Sequence, residues 1–132
     1  MEDLEKAAHE LGLRIKYVNL GRRHGEVHSS GLVFINDDRP VKAMRITLAH
    51  EIGHFYHGHA RADDRCKLEW QERQAQTYAA RLLISPEEYA RAESIYGERV
   101  GSLAKELNVT PLHIELWRLD YMRAPHRHLR AV

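Results

Sequence analysis

His50 and His54 stand four residues apart, and Glu51 follows the first of them directly, in the run His50-Glu51-Ile52-Gly53-His54. On an α-helix this spacing leaves two side chains about 40° apart around the axis and about 6 Å apart along it. Both imidazoles can then reach one tetrahedral Zn²⁺ from the same face. A carboxylate placed as Glu51 is can reach a metal-bound water without displacing it. Zinc lowers the pKa of that water towards neutrality, and Glu51 would accept the proton as hydroxide attacks a carbonyl. The chemistry implied is peptide-bond hydrolysis with Glu51 as general base.

Two elements must position these groups. Val41, Met44, Leu48 and Ile52 fall on one helical stripe with Ala49 beside it, which places the histidine motif on an amphipathic helix. A second helix is predicted from about Lys67 to Ile84, with Leu68, Ala75, Ala79, Leu82 and Leu83 as its apolar stripe. Three protein ligands plus water make a catalytic zinc site, whereas four protein ligands make a closed structural one. Glu72 is the third ligand chosen here, because it shares a face with Ala75 and Ala79, small residues that allow close packing on the first helix. Glu69, one turn earlier, is the fallback.

The stretch Arg45-Ile46-Thr47-Leu48-Ala49-His50-Glu51-Ile52-Gly53-His54, followed by Glu72-Arg73-Gln74-Ala75-Gln76-Thr77-Tyr78-Ala79-Ala80-Arg81-Leu82-Leu83-Ile84-Ser85-Pro86, resembles the ImmA/IrrE metallopeptidases, small relatives of the gluzincins. The resemblance is strongest over residues 31 to 86. It implies that His50, His54 and Glu72 bind one Zn²⁺ and that Glu51 is the base. It also implies a helix-turn-helix repressor as substrate or partner, as in the induction of phages and mobile elements or the derepression of stress responses. Gln76 departs from the family pattern, where Asp or Asn is usual at a place that hydrogen-bonds a ligand histidine. Glutamine can still accept from an imidazole N–H, although it is longer and uncharged.

The remaining sequence supplies the frame. A helix is predicted over residues 2 to 11, a half-buried strand over Leu13 to Val18, a second strand over Glu26 to Ser29, and a buried strand over Gly31 to Asn36. These strands read as a small antiparallel sheet beside the active-site helix. Its edge strand could pair with an extended substrate. Residues 57 to 66 read as a loop. His57 and His59 there suggest a second metal site only weakly against exposed polar histidines, and Cys66 could in principle reach the zinc as a thiolate. Ser85, Pro86 and Glu88 form a capping box at the start of a helix that ends at Gly97. Residues 100 to 119 scan as helix, tight turn, helix, with Asn108 in the turn and Thr110 capping the second helix before Pro111. That second helix is too apolar for a base reader, so the pair is expected to pack on the core and not to bind DNA.

The chain has 132 residues, 43% hydrophobic and 30% charged, with a formal net charge of +1. That composition describes a globular chain with no global attraction to phosphate. One cysteine, no apolar leader at the acidic N-terminus and no run long enough to span a membrane indicate a cytoplasmic protein. The expectation is therefore an α+β zinc metallo-endopeptidase of one domain over residues 1–122. Its C-terminal part is mainly helical and ends in the helix-turn-helix-like pair, and a basic, frayed tail covers residues 123–132. An oxyanion donor is also required, and Tyr56, Tyr78, Tyr96 and His113 are the candidates. The alternatives are a zinc-stabilised regulator that displaces a repressor without hydrolysis, and a DNA-binding regulator using the C-terminal helices.

Overall fold

A computed structural model describes residues 1–59 and 64–128. The elements in chain order are α1 (Glu2–Glu10), β1 (Arg14–Val18), β2 (Gly25–Val27), β3 (Leu32–Asn36), α2 (Val41–Tyr56), α3 (Arg65–Leu83), α4 (Pro86–Tyr96), α5 (Val100–Leu107) and α6 (Pro111–Arg123), followed by a 3-10 turn at Pro125–His128. Residues 60–63 of the expected loop and 129–132 of the expected tail lie outside the described residues.

The sheet is mixed, which corrects the antiparallel sheet expected. β3 is central, with β1 parallel on one side (Ile15 opposite Val33) and β2 antiparallel on the other (Glu26 opposite Phe34). Burial explains the order. Val33, Ile35 and Asn36 are fully buried, as a central strand requires, whereas β1 is largely exposed and takes an edge. Asn36, the last residue of β3, braces this strand order. Its amide donates to the carbonyls of Gly21 (3.0 Å) and Arg23 (2.7 Å), tying the β1–β2 link to the end of β3.

α2 and α3 form the main helical contact. Leu48, Ala49 and Ile52 of α2 are fully buried, as are Ala75, Ala79 and Ala80 of α3. Val41 and Leu68, expected on the apolar stripes, are exposed because each lies at the outer end of its helix. The two backbones approach closely at Gly53. A Cβ there would sit 2.6 Å from the carbonyl oxygen of Ala75 and 2.9 Å from its Cα. α3 begins at Arg65, two residues before the expected start, because the Asp64 side chain caps it by accepting from the backbone N–H groups of Cys66 and Lys67.

The C-terminal helices fasten onto α3. The indole of Trp117 donates to the carbonyl of Ile84 (3.1 Å) and its ring stacks between Tyr89 and Tyr121. Asp120, buried on α6, pairs with Arg81 of α3 (3.2 Å), Arg127 (3.1 Å) and His128 (2.9 Å). The described part of the tail is thus packed and not frayed, with Ala124 and His128 buried. Asn108 takes the left-handed conformation (φ 58°, ψ 43°) between α5 and α6, and Thr110 and Ser85 cap their helices as the sequence predicts. Among the described residues, no helix is long and apolar enough to cross a membrane.

The Gly53 contact can be tested by sign. Helix propensity alone favours alanine over glycine by about 1 kcal/mol. A methyl group pressed against the Ala75 backbone instead forces the helices apart, so Gly53→Ala should be destabilising by about 1–3 kcal/mol in chemical denaturation. A neutral or stabilised variant would show that the helices are not held this close.

Candidate metal centre

Three ligating groups from two helices converge where α2 and α3 cross. His50 Nε2 and His54 Nε2 lie 3.1 Å apart, with the rings at 89° to one another. Glu72 of α3 places Oε2 3.0 Å from His50 Nε2 and Oε1 2.9 Å from His54 Nε2. Each residue offers one ligand atom, all within 4.8 Å of one another, and among the described residues no other such cluster occurs. Two imidazole nitrogens and a carboxylate aimed at a common point fit a divalent cation of the zinc type. The helix contact explains why Glu72 reaches them. It stands one turn before Ala75, the residue against which Gly53 packs.

Glu51 is partly buried at the same place. Desolvation, then the nearby carboxylates of Glu72 and Glu26, push its carboxyl up to about 7. Burial, then the neighbouring His50, pull the His54 imidazole below its ordinary value. A crowded carboxyl and a buried His54 that resists a proton favour an added cation here. His50 and Glu51 open onto a cavity of about 540 Å³, whose walls are His24 and Gly25 beside β2, Thr47 of α2, Gln76 of α3, and Thr110 and His113 at the start of α6.

His113 is held there by the helix cap itself. Its Nδ1 accepts from the Thr110 backbone N–H (3.3 Å) and lies 2.8 Å from the Thr110 hydroxyl, while Thr110 Oγ1 accepts from the His113 backbone N–H (3.3 Å). This is a capping box with histidine where glutamate or glutamine is usual. Because a backbone N–H can only donate, Nδ1 carries no proton and the neutral ring keeps its N–H on Nε2. Burial, with His50 nearby, pushes the His113 pKa down to about 4.

Residues 8–115 match the family pattern Peptidase_M78, described as the IrrE N-terminal-like domain. That span is most of the chain and contains every group just described. The chain belongs to this family of metallopeptidases. No curated protein matches it.

Against this family frame, the remaining candidates separate clearly. Glu69, the fallback ligand, is exposed and pairs with Arg65 (3.3 Å), apart from the histidines. Gln76 lines the cavity but makes no hydrogen bond to either histidine among the described residues. Tyr56 and Tyr78 stack on each other (4.4 Å) and line a different cavity with Arg81 and His128. Tyr96 is exposed on α4 beside Glu106. Of the four oxyanion candidates, His113 shares the cavity with Glu51. Cys66 is exposed in the first turn of α3 and does not join the cluster. His59 does not build a second metal site with His57. It contacts His54 Nδ1 (2.9 Å) and Gln74 Oε1 (2.8 Å), neighbours that the sequence reading overlooked. The overlooked signal was Gly58, which can turn the chain back onto the helix it leaves.

The His113 shift has a definite sign. The unfolded ring protonates near 6.5 and the folded ring only near 4, so stability is lost as pH falls from 6.5 towards 4. His113→Gln keeps a capping-box residue but removes the ionisable group. In metal-free protein, its stability should fall less steeply than that of the parent over this range, as followed by denaturant titration at stepped pH. Parallel profiles would show that His113 titrates normally in the fold.

Proposed function

We propose that this chain is a zinc-dependent endopeptidase in which His50, His54 and Glu72 hold one Zn²⁺ and Glu51 is the general base. The observation that carries the reading is the convergence of these three ligating groups beside a partly buried glutamate at the wall of an open cavity. When bound, the ion would supply Lewis acidity and lower the pKa of a water. Glu51 would take the proton from a water and return it to the leaving amine, a task for which its partly buried place beside His50 on the cavity wall suits it. His113, with its N–H on Nε2, is the proposed donor to the developing oxyanion.

The cavity also suggests how a peptide would lie. Among the described residues β2 is an edge strand beside it, paired with β3 alone, so its other edge can accept an extended segment through backbone hydrogen bonds. Recognition of that kind tolerates many sequences and suits an exposed linker in a folded target. The resemblance to ImmA/IrrE proteins points to a cytoplasmic helix-turn-helix repressor of a phage, mobile element or stress response as that target. Residues 1–122 would form one catalytic unit, with the helix-turn-helix-like pair at 100–119 as part of its active-site wall. The placement of Thr110, Leu112 and His113 against the catalytic cavity favours this over a role for α6 in reading DNA.

Incubating the chain with a helix-turn-helix repressor from the same genome should give discrete fragments that a chelator prevents. Glu51→Gln should retain zinc yet lose cleavage by at least about 10²-fold. Undiminished cleavage by that variant would remove Glu51 as the base. Repressor release from DNA without fragments, retained in the variant, would favour displacement without hydrolysis.

A further inference from the structure

Gly58 sets the geometry from which a hydrogen-bonded relay follows. His57 is the C-cap of α2 and Gly58 follows it at φ +65°, in the left-handed region that favours glycine. The Gly58 N–H bonds the carbonyl of Phe55 (3.0 Å) and the His59 N–H bonds the carbonyl of His54 (3.0 Å). These are the paired bonds of a Schellman motif, in which the residue two beyond the cap folds back onto the third residue from the helix end. That contact is commonly apolar. Here it joins two imidazoles, with His54 Nδ1 2.9 Å from His59 Nδ1, and His59 Nε2 is in turn 2.8 Å from Gln74 Oε1 on α3.

With a cation held by the cluster and Gln74 presenting its oxygen, the protons in this chain have one consistent arrangement. An amide oxygen only accepts, so His59 carries its proton on Nε2 and donates it to Gln74. A neutral imidazole has a single N–H, which leaves His59 Nδ1 as a bare acceptor. The short contact between the two Nδ1 atoms then needs its proton from His54. With its proton on Nδ1, His54 presents a lone pair at Nε2, the atom 2.9 Å from Glu72 Oε1 and 3.1 Å from His50 Nε2.

We propose that Gln74 and His59 form a positioning relay that fixes His54 in the tautomer and orientation needed to bind metal through Nε2. It supplies to His54 the kind of support that the resemblance assigned to Gln76. His59 is not a fourth ligand, because both its ring nitrogens are committed on the side of His54 away from the cluster. The relay is directional. If the group at 74 donated instead of accepting, each proton would shift by one nitrogen and His54 Nε2 would be blocked.

The inference rests on the reading of His54 as a metal ligand, and the test separates the two. Zinc affinity is measured by chelator competition for His59→Phe, Gln74→Lys, Gln74→Glu and His54→Ala, with the hydrogen bond between the His54 and His59 Nδ1 atoms read by ¹⁵N–¹⁵N coupling in the zinc-loaded parent and Gln74→Lys proteins. The relay predicts that coupling, with the proton on His54 Nδ1, in the parent and its loss in Gln74→Lys. It predicts about 10–100-fold weaker zinc binding in His59→Phe and Gln74→Lys, with Gln74→Glu close to the parent because a carboxylate also accepts. Affinity within about threefold of the parent in both weakened variants, while His54→Ala loses binding, would overturn the relay and leave the metal site standing. Unchanged binding by His54→Ala would overturn both.

Discussion

A close approach of two helices governs this structure. Gly53 lies inside the histidine motif, and its missing side chain lets α2 meet the backbone of Ala75 on α3. Glu72 is three residues before Ala75, so the contact that packs the core also sets the reach of the carboxylate towards His50 and His54. A wider spacing would leave the imidazoles with no partner across the helix crossing. Packing and the convergence of these three groups are therefore one constraint, and the buried alanines along α3 serve both.

The rest of the fold closes the site from several sides. β2 stands at one side of the cavity, the start of α6 at another, and Gln76 of α3 completes the wall. α6 holds its place because Trp117 and Asp120, one and two turns beyond His113, fasten it to Ile84 at the end of α3 and to Arg81. The Thr110–His113 cap then turns a helix end into a fixed donor, since the bonds that satisfy the first turn also decide which ring nitrogen keeps its proton. Helix termini act twice in this protein. The C-terminus of α2 aims His59 at His54, and the N-terminus of α6 aims His113 at the cavity.

Much of this was legible in the residues, and the failures have physical causes. The four-residue spacing of the histidines, the small residues following Glu72, and the caps at Ser85 and Thr110 are local signals, and the structure places all of them as read. The order of the strands is not local. Alternation in Leu13–Val18 could not reveal that β3 would insert between its two neighbours, because that depends on Asn36 bonding to carbonyls 13 and 15 residues away. Tyr56 and Tyr78 are near the motif in sequence, yet they stack away from Glu51 on another cavity, and proximity along the chain carried no information about direction. His59 was passed over because a histidine in a polar segment reads as exposed, and only the left-handed turn at Gly58 brings it home.

X-ray absorption at the zinc edge of the purified, zinc-loaded chain tests the central claim most directly. The account predicts one ion per chain, with two imidazoles and otherwise oxygen in its coordination shell, nitrogen at about 2.0–2.1 Å and no sulfur. A sulfur scatterer at about 2.3 Å, which would bring in Cys66, or a fit needing no imidazole, would contradict it.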